Sequence, residues 1–203
     1  MYVSEVAFWT HRALWQLLFS GKFDKFPGLK YCVVECGSWW VGDLLWKADV
    51  NFGASWKIKK MSSRMKGLLT KLPSEYFGDS VFIGASTMSR YEIRERHRNG
   101  IDALMWGTDY PHPEGSWPNT VHRLENDFQD VSIEDTRRLL GLNAIECYNL
   151  DVEGLTTVAN RIGPTPEKLN QDPALRTSPT AKRDARWWFD EYGIEWSGPE
   201  NGL

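Results

Sequence analysis

Ala103-Leu104-Met105-Trp106-Gly107-Thr108-Asp109-Tyr110-Pro111-His112-Pro113-Glu114-Gly115 reads as a short apolar strand that stops at a carboxylate and runs into a turn rich in Pro, His and Gly. In parallel α/β sheets, ligands and catalysis sit just beyond the carboxyl ends of the strands. Asp109 stands at that point, with the His112 imidazole three residues on. A metal ligand or a general base would take this place. An Asp can also serve only its own turn there, by bonding the backbone two residues on.

Working outward, two more runs suit strands buried on both faces. They are Tyr31-Cys32-Val33-Val34, ending at Glu35, and Val81-Phe82-Ile83-Gly84-Ala85. Around the three runs the apolar spacing is helical. Phe8, Leu14, Trp15, Leu17 and Leu18 predict an amphipathic helix over residues 5–20 that ends near Gly21. Phe26-Pro27-Gly28 is a turn, and Trp39 to Ala48 reads as helix. Lys57 to Leu72 is a basic amphipathic stretch whose lysines suit a solvated helix face. Ser89 to Asn99 reads as a charged, exposed helix closed by Gly100. Trp117-Pro118-Asn119 opens a helix with Val121, Leu124 and Phe128 on one face. Ser132-x-x-Asp135 resembles a capping box and starts a helix carrying Leu139, Leu140, Ala144 and Tyr148. Helix and strand alternate throughout, which predicts a parallel sheet with crossover helices. From about Gly154 the texture changes, with breaks at Gly163-Pro164-Thr165-Pro166, Asp172-Pro173 and Ser178-Pro179. Residues 151–203 are expected to form a Pro-rich extension. Its aromatic end, Arg186 to Tyr192, is expected to dock on the same chain or a partner subunit.

The 203 residues are 41% hydrophobic and 25% charged, an ordinary globular composition sufficient for one core. The net charge of -3 and the lack of a basic patch argue against a nucleic-acid partner. No apolar run is long enough to predict a membrane span. The amino terminus has no secretory pattern. Three cysteines without zinc-finger spacing suit free thiols in a reducing cytoplasm. Cys32 is expected in the core. Eleven tryptophans suggest a large aromatic core or apolar pocket walls.

Several elements together resemble the amidohydrolase-related family. They are Gly21-x-Phe23-x-x-Phe26-Pro27-Gly28-Leu29-Lys30, Glu35-x-Gly37, Leu72-Pro73-Ser74-Glu75-Tyr76-Phe77 and Met105-Trp106-Gly107-Thr108-Asp109-Tyr110-Pro111-His112. Leu139-Leu140-Gly141-x-Asn143-Ala144-x-x-x-Tyr148 also fits, so the likeness spans roughly residues 8–150. The resemblance implies a metal-dependent (β/α)8 barrel whose members include hydrolases and non-oxidative decarboxylases. It implies a divalent ion, zinc or manganese, held by a His-x-His pair, a later His, and an Asp after the last strand. That Asp would be Asp109. A carboxylate beside such an ion can coordinate it and also take a proton from attacking water. In a decarboxylating member the ion would orient the substrate carboxylate instead. A small organic acid is the implied substrate, and a homodimer is plausible by the same resemblance.

The sequence departs from that pattern in three ways. It contains no His-x-His pair, its histidines being His11, His97, His112 and His122. It has three strand-like runs where a closed barrel needs eight. Residues 1–150 therefore read as the carboxyl-terminal portion of a barrel, starting before its sixth strand. Such a chain is not expected to be an active enzyme by itself; it could lack the metal, complete a barrel with a separate amino-terminal chain, or be a non-catalytic fragment. Three strands also leave two open edges, an aggregation hazard. Lastly, Glu35 stands where many decarboxylases of the family carry His. It suits a base or metal contact, or a hydrogen bond to its own loop.

The remaining candidates carry paired readings. His112 could bind substrate or hold Asp109 as an orienting partner, or simply pack the loop. Arg12 could grip a substrate carboxylate, or be a surface cation with a capping role. Of Trp39 and Trp40, one could wall the pocket while the other packs the core. His97 is expected to be solvated and His122 structural. Ser86 and Ser89 have no neighbouring base to activate them.

Overall fold

The computed structural model describes residues 2–55, 68–165 and Leu169. A long helix, α1 (Tyr2–Leu18), and a single turn, α2 (Lys22–Lys25), precede the first strand, β1 (Tyr31–Val34). Helix α3 (Val41–Ser55) and a 3-10 turn (Pro73–Tyr76) lead to β2 (Val81–Ser86). Helix α4 (Arg90–Arg94) and a second 3-10 turn (Ile101–Ala103) lead to β3 (Leu104–Gly107). Then come α5 (Thr120–Phe128), α6 (Ile133–Arg137), a π-helical turn (Arg138–Leu142) and α7 (Asn143–Tyr148). Helix α8 (Val152–Ile162) closes the described chain.

The three strands form one parallel sheet in the order β1-β2-β3. Tyr31 pairs with Val81, and Ile83 with Leu104. Parallel pairing puts all three carboxyl ends on one side, as the alternation of helix and strand predicts. The period of two along β2 sorts its side chains cleanly. Val81, Ile83 and Ala85 join Val33 and Leu104 in the main core, against Leu14 and Leu18 of α1, Val41 and Leu44 of α3, and Phe128 and Leu139. Phe82 and Met105 face the other way, beneath Ala144 and Cys147 of α7, with Cys32 packed alongside. Towards the carboxyl end that second face carries Gly84, Ser86 and Gly107, so it is lined by small groups beside the site. Gly84 is needed there, because a Cβ would stand 2.9 Å from Val34 Cγ1.

Several expectations are adjusted. The helix expected from Trp39 starts only at Val41 and runs on to Ser55. The third strand ends at Gly107, and α5 starts at Thr120, after the Trp117-Pro118-Asn119 turn. Ser132 caps α6 by accepting from Asp135 N, as its spacing predicts. Cys32 is half-buried rather than fully core. The expected exposed helix over Ser89–Asn99 is corrected most. Only Arg90–Arg94 is α-helical, and Glu92 and Asn99 are 7% and 1% exposed. Their side chains turn inward to bind backbone N–H groups of the β1 loop and α3, at Ser38 and Gly42. His97 is exposed but lies 3.1 Å from Asp135, which also accepts from Arg96 Nε at 2.7 Å.

Residues 152–162 of the expected extension form a helix, and they are exposed throughout. Residues 166–168 and 170–203, with most of the Pro-rich and all of the aromatic part of the expected extension, lie outside the described residues, as does 57–67 of the basic stretch. Among the described residues, no helix is long and apolar enough to cross a membrane.

Candidate functional site

Each strand hands its chain to a residue in the left-handed region just past its carboxyl end. These are Glu35 (φ 59°), Thr87 (φ 46°) and Asp109 (φ 60°). Non-glycine residues rarely take that conformation, and they cluster where a site over-determines the backbone. The sheet therefore bends sharply at three adjacent points on one rim, and two of the three carry carboxylates.

The loop from Thr108 to Ser116 is braced by its own backbone. His112 N donates to Asp109 O at 2.8 Å, Gly115 N to His112 O at 3.0 Å, and Ser116 N to Thr108 O at 2.9 Å. The side-chain bond of the turn comes from Thr108, whose Oγ1 accepts from Tyr110 N at 3.2 Å. The Asp109 carboxylate is thus spared the turn duty that is the plainer reading of an Asp here. Its side chain is 11% exposed, and Oδ2 lies 3.5 Å from His112 Nδ1. His112 Nδ1 also lies 4.0 Å from Glu114 Oε1. Among the described residues, Asp109, His112 and Glu114 offer three ligand atoms within 4.8 Å of one another.

Two carboxylate oxygens and one imidazole nitrogen suit a zinc or manganese ion. The donors fit such an ion in part: Asp109 is shielded, whereas the side chains of His112 and Glu114 are 54% and 71% exposed. The group is open on the solvent side. Sequence reading passed over Glu114. Its signal was position, two residues past His112 in the same Pro-bounded loop.

Gly115 makes this loop possible. A Cβ there would meet three backbone oxygens, of Thr108 at 2.8 Å, His112 at 2.9 Å and Asp109 at 3.1 Å. Gly115→Ala is expected to spread the loop and weaken divalent-ion binding by about tenfold, or about 1.4 kcal/mol. Calorimetric titration of both proteins with manganese checks this.

The other predicted residues sit on or near the same rim without joining the group. Glu35 is exposed, and its N–H donates to Gly84 O at 3.0 Å. Trp39 is 50% exposed, while Trp40 is buried at 4% and donates from Nε1 to Cys36 O at 2.9 Å. Arg12 is exposed on α1. Ser89 serves as the cap of α4, accepting from Glu92 N. His122 is exposed and lies 3.3 Å from Asn126 Nδ2.

His11, beside Arg12, is a titratable group that packing has altered. Its ring lies against Trp40 in a tilted contact, with centroids 3.8 Å apart, and its Nε2 is buried with no hydrogen-bond partner. Burial holds its pKa below the ordinary 6.5. The unfolded chain then binds the proton more readily than the folded one. The stabilising contribution is therefore complete above the unfolded pKa and is lost as pH falls from there toward the lower folded value. Denaturation midpoints are expected to drop as pH falls through and below the ordinary 6.5, and His11→Phe, which keeps the ring contact, is expected to flatten part of that slope.

The family model described as amidohydrolase matches residues 8–150. No curated protein matches the chain. Among solved structures, 5-carboxyvanillate decarboxylase from Sphingomonas paucimobilis gives a TM-score of 0.52 at 24% identity, over 68% of this chain and 39% of that one. An amidohydrolase from Mycobacterium avium subsp. paratuberculosis gives 0.49 at 22% identity, over 66% of this chain and 32% of that one. The chain thus spans under two fifths of the length of either structure. With the matched stretch covering the whole sheet and its Asp109 rim, the chain belongs to the amidohydrolase family.

Proposed function

We propose that this chain contributes to a metal-dependent hydrolase that acts on a small organic acid or related compound. The observation that supports this reading is the Asp109–His112–Glu114 group at the carboxyl end of β3. Asp109, shielded and aimed at His112, would hold a divalent ion and accept a proton from attacking water. His112 would share the ion or orient the Asp109 carboxylate. Glu35, on the same rim, is a second proton acceptor, and Trp39 offers an apolar wall. Arg12 is the candidate cation for a substrate carboxylate. When bound, the ion would polarise a substrate oxygen and lower the pKa of water.

A non-oxidative decarboxylase of the same family is the second reading. A decarboxylase among the structural neighbours favours it. The two separate by product. The protein, loaded with zinc or manganese, is incubated with small carboxylic acids and their amides and lactones in oxygen-18 water. Label in the product supports hydrolysis, and released carbon dioxide supports decarboxylation. No metal uptake and no turnover would favour a non-catalytic assembly partner, completed by a separate amino-terminal chain or acting in a homodimer.

A further inference from the structure

At the opposite end of the sheet from the Asp109 rim, β1 and α7 bring sulfur together. Cys32 and Cys147 pack in one cluster with Phe82 and Met105. The Tyr148 hydroxyl, on the residue next to Cys147, donates to Cys32 Sγ at 3.4 Å. Both cysteines are free. Cys147 lies in the last turn of α7, which ends at the left-handed Asn149. The end of a short helix can shift to bring two cysteines packed in one cluster into bonding geometry. The third cysteine, Cys36, is separate: its thiol contacts Thr10 Oγ1 at 3.2 Å beyond the carboxyl end of β1.

We propose that Cys32 and Cys147 are a dithiol pair that a low-molecular-weight disulfide oxidises reversibly, fastening α7 to β1. The two thiols differ in access. Cys32 is half-buried, whereas Cys147 is 7% exposed. Burial first, and then the neighbouring Cys32, push the Cys147 thiol up to about 12. Cys32 is therefore the attacking sulfur. Its thiolate displaces one thiolate from the small disulfide and forms a mixed disulfide. Cys147 sulfur then attacks Cys32 sulfur, its proton leaving with the second small thiol. Two protein thiols and one disulfide become one protein disulfide and two small thiols.

The test is to expose the folded protein to oxidised glutathione, cap remaining thiols after denaturation, and map the peptides by mass. The expected result is a Cys32–Cys147 cross-linked peptide with Cys36 capped, and its loss on treatment with dithiothreitol. Cys147→Ser is expected to stop at a glutathione adduct on Cys32. Cys36→Ser is expected to cross-link as the parent does, so the outcome does not hang on one variant. In urea, the parent is expected to lose the preference for this pairing. Three capped thiols in the folded parent, a stable glutathione adduct on its Cys32, or a Cys36 pairing as the main product would each overturn the proposal.

Discussion

Asp109→Asn is expected to cut turnover of the metal-loaded, assembled enzyme by about a thousandfold or more while leaving the fold intact. The substitution isolates charge from shape. Asn tolerates the left-handed region as readily as Asp, so the φ of 60° is no obstacle. Asn also keeps the volume of the side chain, 11% exposed beside His112. It removes the negative charge that would hold an ion and the lone pair basic enough to take a proton. Turnover and bound metal, measured on the same preparations, are expected to fall together, with unchanged circular dichroism. Unchanged activity would return Asp109 to the role of a turn residue.

Glu92→Ala is expected to destabilise the protein by about 3 kcal/mol or more, because it strands several buried donors at once. Oε1 accepts from Ser38 N and from Ser38 Oγ at 3.1 Å. Oε2 accepts from Ser89 N at 2.9 Å and Ser89 Oγ at 2.8 Å. One carboxylate thus ties the loop after β1 to the loop after β2, directly behind Glu35 and Trp39. Gly37 belongs to the same joint: a Cβ on it would meet Glu92 Oε1 and Trp39 Cδ1, both at 3.0 Å. Glu92→Gln keeps the shape but turns an amide NH2 toward donors, so it is expected to recover only part of the loss. Urea midpoints of the three proteins check the order, parent above Gln above Ala. Equal midpoints would mean that water replaces the carboxylate without cost.

The sheet was legible from its apolar runs: Val81 to Ala85 is largely buried, as a strand covered on both faces should be, whereas in Tyr31–Val34 only Val33 is buried and Val34 is exposed. The position of Asp109 was legible too: a carboxylate just past the end of an apolar run, here two residues beyond Gly107, falls on the side where parallel sheets keep their sites. The Glu92 joint was not. A run of alternating Arg and Glu reads as a solvated helix face, and nothing local shows that one carboxylate meets Ser38, 54 residues away in sequence. Asn99 was hidden likewise, since its amide oxygen accepts from Gly42 N at 3.1 Å across the crossover. Glu114 was passed over because an exposed acid in a turn has a plain solvated reading. The three strands and their helices are consistent with part of a TIM-type amidohydrolase barrel.

The most direct measurement is an anomalous difference map from crystals of the protein soaked in manganese, recorded on both sides of the manganese edge. The predicted result is a peak within ligand distance, about 2.0–2.3 Å, of an Asp109 carboxylate oxygen and a His112 ring nitrogen. That peak is expected to vanish in Asp109→Asn crystals. Manganese bound elsewhere, with the Asp109 rim empty at saturating concentration, would contradict the account.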